Sequence, residues 1–235
     1  AANGYRIAGI HLDFRAAIAH VEEVKAEIVA LGSEALYINM NAADDEKRHA
    51  ALATLGERFD RSRAEGRHPY VRVVMHSLAF GTLVTFLAED PKAGVDRKKM
   101  EMTQDVMANS LVYWVQEVLQ AGLMGPGSHV YAMTSAGGHR IWPSYGAVSA
   151  AKSALESHCR QLAVELVPRR IGVNAVRAGV TDTPALRKIP GNDKMIEHCL
   201  AIHPAKRLTT PADVAAVIVA VARADTTWLT GNVLG

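Results

Sequence analysis

HVYAMTSAGGHRIWPSYGAVSAAKSALESHCRQLAVELVPRRIGVNAV, residues 129–176, is the stretch that decides the fold. Its two ends, 129–134 and 171–176, are short apolar runs that contain the valine, isoleucine and tyrosine typical of strands. Between them, apolar side chains recur every three or four residues, the period of an amphipathic helix: Ala151, Leu155, Cys159, Leu162 and Leu166. A strand, a helix and a second strand in this order predict two parallel strands joined by a crossover helix.

The same alternation extends over the 235 residues, without an internal repeat or a low-complexity linker. It predicts a single α/β domain over residues 1–235, a doubly wound parallel sheet of the Rossmann type with helices on both faces. The predicted strands are Tyr5–His11, Ala35–Asn39, Val71–Ser77, His129–Thr134, Ile171–Val176 and a last one within 231–235. The predicted helices are Arg15–Leu31, Asp45–Arg63, Lys98–Leu123, Ser149–Val167 and Pro211–Arg223, the last with Thr210 as its N-cap.

Composition and charge argue against several classes of function. The net charge is +2 and the basic residues are scattered, which gives little support for nucleic-acid binding. The apolar run Val214–Ala222 is nine residues long, too short to cross a bilayer. Two cysteines make no disulfide framework, and Cys159 falls on the apolar face of a helix as a buried free thiol would. The ten histidines show no metal-ligand spacing. We expect a cytoplasmic protein that binds neither nucleic acid, membrane nor metal.

Tyr145 and Lys152 stand seven residues apart at the start of the helical run, after a start signal in which Pro143 precedes Ser144 as N-cap. Seven residues turn an α-helix through about 700°, so both side chains share one face, roughly 10 Å apart along the axis. A fixed ammonium near a phenol favours the phenolate and makes the hydroxyl a better proton donor. The pair therefore suits a reaction in which negative charge develops on an oxygen; a surface tyrosine and a solvated lysine are the alternative.

Six short runs carry a family resemblance: Thr134-Ser135, Ala151-Lys152-Ser153-Ala154-Leu155-Glu156, Leu162-Ala163-Val164-Glu165-Leu166, Gly172-Val173-Asn174-Ala175-Val176, Ala178-Gly179 and Asp182-Thr183. They are similar to motifs of the short-chain dehydrogenase/reductase superfamily, and the similarity covers nearly all of residues 128–207. The usual superfamily motif has a tyrosine four residues before the lysine, where this chain has Val148.

The departures from the usual motifs resemble one branch of that superfamily, the enoyl-acyl carrier protein reductases. The wider spacing between Tyr145 and Lys152 is similar to theirs. The run His76-Ser77-Leu78-Ala79-Phe80-Gly81 stands where most of the superfamily has Asn-Asn-Ala-Gly and resembles a His-Ser-Ile-Gly-Phe motif of the branch. The run 105–110 also resembles this branch more than it resembles the ketoreductases.

The resemblance implies the roles of three catalytic residues. Tyr145 would hydrogen-bond the thioester carbonyl oxygen and stabilise the enolate that forms when hydride reaches the β-carbon. Lys152 would bind the nicotinamide ribose hydroxyls and hold positive charge near that enolate. Ser135 would lie beside the carbonyl, with Thr134 as its competitor for the contact, or would only satisfy backbone groups at the strand end.

A dinucleotide-binding unit usually starts with a strand and a glycine-rich turn at a helix N-terminus, where the pyrophosphate binds. No glycine cluster precedes Tyr5. We therefore expect the N-terminal strand and the glycine-rich loop to lie outside the sequence given; a phosphate site built in an unusual way is the alternative.

NAD(P)H is the cofactor that the resemblance implies, with NADH favoured over NADPH. Asp13 follows a predicted strand, where its carboxylate would accept hydrogen bonds from the adenosine ribose and repel a 2′-phosphate. Arg15 could instead pair with that phosphate, and Asp13 could instead be a helix N-cap. The other expected cofactor contacts follow strand ends: Asn41, Ala42, Ser77, Leu78, Ala79, Ala178, Gly179, Thr181 and Thr183.

Residues 183–207, broken by prolines, resemble the mobile substrate lid of the family. Leu186 in this segment, Phe80 and Tyr145 are the expected substrate contacts. Arg187, Lys188 and Lys194 would meet an acidic acyl carrier protein, or be ordinary surface side chains.

The resemblance also implies a homotetramer packed through the helices predicted at Lys98–Leu123 and Ser149–Val167. We expect NAD(P)H-dependent reduction of the trans-2 double bond of enoyl thioesters, carried on acyl carrier protein in fatty acid synthesis. A ketone reductase or alcohol dehydrogenase of the same superfamily, including a hydroxysteroid type, is the first alternative. A dinucleotide-binding sensor without catalysis is the second.

Overall fold

A computed structural model of the protein describes residues 1–224 and 226–235. Parallel strand pairs alternate with helices along the chain, which confirms the predicted Rossmann-like α/β class. Within these residues the strands form two parallel sheets, one in each of two compact units, 1–70 and 71–235.

The unit 1–70 holds a two-stranded parallel sheet in which Ile7 pairs with Ala35 and His11 with Asn39. Its elements are β1 (Ile7–His11), α1 (Ile18–Ala30), β2 (Ala35–Asn39) and α2 (Asp45–Ala64). The predicted elements are confirmed to within two residues, except that the first helix begins as a 3₁₀ turn over Arg15–Ala17.

The unit 71–235 holds a four-stranded parallel sheet in the order β3-β4-β5-β6. Its strands are β3 (Val73–His76), β4 (His129–Met133), β5 (Gly172–Val176) and β6 (Val233–Leu234). β5 is buried along its whole length, and β4 is buried except at its last residue, as expected of central strands covered on both faces. The segments that follow β3, β4 and β5 leave from the same edge of the sheet, where ligands bind in open α/β folds.

The helices of the second unit are α3 (Arg97–Gln104), α4 (Ser110–Gln120), α5 (Gly146–Leu166), α6 (Pro184–Arg187), α7 (Asn192–Ile202) and α8 (Pro211–Arg223). α5 is the predicted crossover between β4 and β5, and its five periodic apolar positions are all buried. Cys159 among them is a buried free thiol, as predicted. Among the helices of the described residues, none is long and apolar enough to cross a membrane.

The start of α5 differs from the prediction. The helix begins at Gly146, three residues before the predicted Ser149, and Tyr145 rather than Ser144 occupies its N-cap position. Ser144 has a positive φ of 61°, in the left-handed region, because the chain turns sharply from Trp142 to Tyr145, whose amide donates to the Trp142 carbonyl. A residue in that conformation cannot act as the N-cap that the sequence suggested.

The helix predicted over Lys98–Leu123 is interrupted by a π-helical turn, Asp105–Asn109, between α3 and α4. This turn packs against α5 and buries Met107 and Ala108. The Ser110 hydroxyl donates to the Val106 carbonyl at 2.8 Å and supports the backbone there. Wide turns of this kind are frequent at functional sites, and here the turn backs the helix that carries Lys152.

The N-terminus of α8 is closed by side chains that are adjacent in sequence. Thr210 accepts from the Asp213 amide, Asp213 accepts from the Thr210 amide, and Pro211 fills the first turn. Arg207 makes a two-point ion pair with the same Asp213 carboxylate. The predicted N-cap and both bounds of this helix are confirmed.

Replacing Thr210 with alanine should lower the free energy of unfolding by about 1 kcal/mol, because an orphan amide of the first turn loses its acceptor. Urea denaturation monitored by circular dichroism would measure the change. Thr54→Ala makes the same substitution at an exposed position within α2 and should leave stability unchanged or slightly higher. Equal losses in both variants would contradict the capping role.

Candidate active site

Ser135 and Tyr145 meet beyond the carboxyl end of β4. Ser135 caps a 3₁₀ turn, Ala136–Gly138, and its hydroxyl oxygen accepts from the Gly137 amide at 3.1 Å. The Tyr145 hydroxyl lies 3.4 Å from the same oxygen, a long contact that a substrate oxygen could replace or share. A Cβ on Gly137 would overlap the Tyr145 ring, so glycine is required for the ring to lie against this turn.

Lys152 lies two turns farther along α5 and is 5% exposed. Its ammonium donates to the Met133 carbonyl, the last of β4, at 2.7 Å. Burial lowers the pKa of Lys152 from 10.5 to about 8, so the side chain is still charged at neutral pH. An ammonium has three N–H donors, and the described residues supply one hydrogen bond to it. Lys152 therefore fits the task of binding vicinal hydroxyls such as those of a ribose.

Position 148 offers no hydroxyl to this site. Val148 is 4% exposed and lies within reach of Gly81, where an added Cβ would come 2.9 Å from a Val148 methyl. Tyr145 is 9% exposed and has Ser135 as its polar neighbour. The phenol that faces the strand end is thus seven residues before the lysine, as predicted.

His76, the last residue of β3, is a buried neutral imidazole in this site. The Ser110 hydroxyl donates to a backbone carbonyl, so it accepts from His76 Nε2–H at 2.8 Å. His76 Nδ1 is then left as an acceptor without a partner among the described residues. Burial, with a smaller contribution from the Lys152 charge, lowers the pKa of His76 to about 4. At neutral pH it therefore places no second positive charge beside Lys152.

The residues after β5 reach the same edge of the sheet and are held by local hydrogen bonds. The Thr181 hydroxyl donates to the Gly179 carbonyl at 3.0 Å, and Gly179 packs against the Thr209 side chain. Thr183 is the N-cap of α6, where its hydroxyl accepts from the Leu186 amide at 3.1 Å. Ala178 lies in the same segment, half-buried. Across the sheet, Ser77 and Ala79 after β3 are exposed, and Leu78 is half-buried.

Asp13 lies in the unit 1–70, two residues after β1. One of its carboxylate oxygens is 2.8 Å from His11 Nδ1, and its backbone is held at both its N–H and its C=O by the Asn39 side chain. The prediction that Asp13 could be an N-cap is wrong, because Phe14 precedes the 3₁₀ turn and no side chain caps it. The second oxygen of Asp13 can accept from a further donor.

Asn41 and Ala42 follow β2 in the same unit. The Asn41 side chain accepts from the Ala43 amide at 3.0 Å and forms an ordinary turn, and Ala42 is buried. Their cofactor role stays a prediction, as does that of Asp13.

The segment 183–207 contains two helices, α6 and α7. The Trp142 indole N–H donates to the Pro190 carbonyl at 2.9 Å, which ties this segment to the turn before Tyr145. Leu186 is buried, whereas Phe80 is 63% exposed. Arg187, Lys188 and Lys194 are all exposed, and Arg187 makes a two-point ion pair with Asp182.

Two polar side chains of this region were missed by the sequence reasoning. The sequence motifs that contain His76 and the buried Glu156, one turn after Lys152, predict no separate role for either side chain. The available signal was the spacing of four between Lys152 and Glu156 on a helix whose other face is apolar. Among residues 1–224 and 226–235, no three His, Cys, Asp or Glu side chains are grouped as metal ligands would be.

The fold and the site define a member of the short-chain dehydrogenase/reductase superfamily. Within it, the chain belongs to the family described as Enoyl-(Acyl carrier protein) reductase, whose family model matches residues 1–235. The resemblance stated from the sequence is thereby confirmed.

Three known proteins show how far the similarity extends. The enoyl-[acyl-carrier-protein] reductase [NADH] of Escherichia coli is 28% identical over 194 residues, which are 83% of this chain and 68% of that protein. The enoyl-[acyl-carrier-protein] reductase (NADH) structure from Aquifex aeolicus has a TM-score of 0.73 at 22% identity and covers 96% of this chain and 82% of its own. A 3-oxoacyl-[acyl-carrier protein] reductase from Brucella melitensis, in complex with NAD, has a TM-score of 0.77 at 22% identity, with 99% and 86% covered. At these identities the two structures establish the fold alone.

Lys152 should make stability depend on pH in a direction set by its lowered pKa. Above pH 8 the folded protein loses this proton, while the unfolded chain keeps it up to about 10.5. The unfolded state then binds more protons, so stability rises with pH over this range. Relative to Lys152→Met, the wild type should gain roughly 2 kcal/mol in the free energy of unfolding between pH 7 and pH 9.5.

Urea denaturation of both proteins at the two pH values would measure this gain. Lys188→Met removes an exposed lysine and serves as the matched control, since water already solvates its charge. A buried ammonium at position 152 would be contradicted if the free energy of unfolding of the wild type, relative to that of Lys152→Met, stayed constant or fell as the pH rises.

Proposed function

We propose that the protein reduces the trans-2 double bond of enoyl thioesters with a nicotinamide dinucleotide as hydride donor. The observation that carries this proposal is the position of Tyr145, whose hydroxyl lies at the end of β4 beside Ser135 while the buried Val148 fills the usual tyrosine position. The family to which the chain belongs, and the E. coli relative named for this activity, support the proposal.

Tyr145 would act on the thioester carbonyl oxygen. A phenol that hydrogen-bonds this oxygen stabilises the enolate more than the ground-state carbonyl, because the bond strengthens as negative charge develops. A bound dihydronicotinamide would supply the hydride to the β-carbon. Protonation at the α-carbon then yields the saturated thioester.

Lys152 would supply fixed positive charge close to the developing enolate. Its pKa of about 8 keeps it protonated at neutral pH, and its burial lowers the local dielectric, so its charge is weakly screened. The N–H donors that Met133 does not use would bind the ribose hydroxyls and orient the nicotinamide.

Ser135 is favoured over Thr134 as the second contact to the carbonyl. Thr134 is buried and its hydroxyl donates to Glu156 at 2.7 Å. The Ser135 hydroxyl faces Tyr145 and is partly exposed. A substrate oxygen between Ser135 and Tyr145 would receive two donors from one side.

Reduction of a ketone is the second candidate function, since a serine and a tyrosine at one carbonyl oxygen also suit hydride addition to that carbon. The fold does not separate the two reactions, because the matching structures include both an enoyl and a 3-oxoacyl reductase. A dinucleotide-binding sensor without catalysis is the third candidate; the buried charge of Lys152 argues against it.

The cofactor we propose is NADH. The E. coli relative is named for NADH, and the carboxylate of Asp13 would repel a 2′-phosphate.

We further propose that acyl carrier protein presents the substrate and that residues 183–207 act as a lid. Four copies of the chain would assemble through α4 and α5, in the cytoplasm.

Tyr145→Phe should lower turnover of a crotonyl thioester by about a hundredfold or more, the size typical of losing a general acid. The assay follows absorbance at 340 nm with NADH and then NADPH. Tyr5→Phe makes the same chemical change at a tyrosine outside the candidate site and should retain activity.

Acetoacetyl thioester, assayed with the same cofactor, separates the candidate functions. Reduction of the enoyl substrate alone supports the proposal, and reduction of the ketone alone would contradict it. Cofactor binding with no turnover of either substrate would favour the sensor.

Asp13→Ala should raise the ratio of kcat/KM for NADPH to that for NADH by about tenfold, because a charge that repels the 2′-phosphate is removed; tenfold corresponds to about 1.4 kcal/mol. Arg15→Ala in the same assay should leave the ratio unchanged or lower it, since it removes a cation that can pair with the phosphate. If Asp13→Ala did not alter this ratio of kcat/KM values, the carboxylate would have no role in choosing the cofactor and would serve only its hydrogen bond with His11.

A further inference from the structure

Glu156 is a buried carboxylate that receives both of its hydrogen bonds from one loop. It lies on α5, one turn after Lys152, and is 2% exposed. The Thr134 hydroxyl donates to Glu156 Oε1 at 2.7 Å, and His139 Nε2 lies 2.7 Å from Glu156 Oε2. The two donors stand at the first and last positions of the segment 134–139.

The segment 134–139 carries the groups that face the proposed reaction. Ser135 is its second residue, and Gly137 is the surface against which the Tyr145 ring packs. Met133, directly before it, accepts from the Lys152 ammonium. Gly138 accepts from the Ser153 hydroxyl at 2.8 Å. Lys152, Ser153 and Glu156 of α5 thus all hydrogen-bond residues 133–139, and we call the two bonds of Glu156 to Thr134 and His139 the clasp.

Stability alone does not explain a carboxylate at this place. Removing a charge from water costs several kcal/mol, and well-packed apolar side chains usually serve a core as well or better. Hydrogen bonds to a charged acceptor are short and directional, so they fix the position of their donors. What Glu156 adds is a defined position for the two ends of the loop.

We propose that Glu156 is a positioning residue, which sets Ser135 and Tyr145 relative to Lys152 by holding Thr134 and His139. This inference rests on the proposed function, since it concerns the same site. Glu156 does not contact the reacting atoms and acts through the loop.

Among the titratable groups around Glu156, His139 contacts its carboxylate, Cys159 is within reach of its charge, and Lys152 lies one turn earlier on α5. His139 is 55% exposed. The Glu156 charge contributes, after burial, to the raised pKa of the Cys159 thiol. Nε2–H of His139 donates to the carboxylate whether the ring is neutral or charged, so the wild-type clasp holds in both states.

Glu156→Gln makes the clasp dependent on pH. With the amide oxygen accepting from Thr134, the amide nitrogen faces His139 Nε2 and needs it as an acceptor, because an amide nitrogen only donates. The opposite orientation would take away the acceptor of the buried Thr134 hydroxyl hydrogen. A neutral imidazole can accept there after a change of tautomer, and an imidazolium cannot. The ratio of wild-type to variant kcat should therefore rise at least fivefold between pH 8.0 and pH 5.5, while KM for the cofactor changes less than twofold.

Three further variants isolate this effect. In Glu156→Gln combined with His139→Ala, the pH dependence of the kcat ratio should disappear, because no imidazole remains. His139→Ala alone, at an exposed position that the fold tolerates, should lower kcat several-fold. Glu23→Gln alters the exposed carboxylate that pairs with His20 and should show no change with pH.

Amide hydrogen exchange in residues 135–140 gives a readout that needs no substrate. The Gly138 and His139 amides donate to Ser135 and Ala136 in the wild type and should exchange faster in Glu156→Gln at pH 5.5. An unchanged exchange rate with an unchanged kcat ratio would overturn the positioning role, as would a fall in thermal stability alone with wild-type activity of the folded protein.

The kinetic comparison uses whichever of crotonyl and acetoacetyl thioester the wild type reduces. Reduction of the ketone alone would contradict the proposed function and leave the test of Glu156 in place. With neither substrate reduced, the exchange experiment decides the role of Glu156 by itself.

Discussion

The hydrogen bond from the Lys152 ammonium to the Met133 carbonyl is the contact on which the candidate site depends. It joins the helix whose N-cap is Tyr145 to the strand that leads into Ser135, and it places a charge where little water reaches it. Burial weakens that charge by lowering the pKa of Lys152, yet leaves it protonated at neutral pH. A positive group of this kind can respond to negative charge on a ligand with little screening by solvent.

The surroundings of this contact keep the lysine as an isolated cation. His76 is near enough for its pKa to be affected by Lys152, and burial holds it neutral. The π-helical turn between α3 and α4 supports α5 from behind, with Ala108 fully buried.

The fold class followed from the sequence because strand and helix periods are local properties. The bounds of α8 were predicted correctly, since Thr210, Pro211 and Asp213 act within one turn of each other. The π-helical turn was not predicted, because one extra residue in a turn leaves the spacing of apolar side chains almost unchanged.

Spacing alone indicated the candidate pair of Tyr145 and Lys152, whereas Ser135 was expected only from the family resemblance. Tyr145 and Lys152 share a face of α5, so their spacing sufficed even though the first turn was misplaced by the left-handed Ser144. Glu156 reads as a solvated helix residue until strand β4 and the loop after it are placed against α5. Its partners lie 17 and 22 residues earlier in the chain, and no local pattern links them.

The two cysteines differ in burial, so a thiol reagent would modify one of them selectively. The Cys159 thiol is buried in α5, and its pKa is raised to about 12, so it has almost no thiolate at neutral pH. Cys199 lies on α7, inside the segment 183–207, and is only partly buried. A thiol-directed fluorophore or spin label would therefore attach to that segment in the unmodified protein and test whether it moves, without any engineered residue.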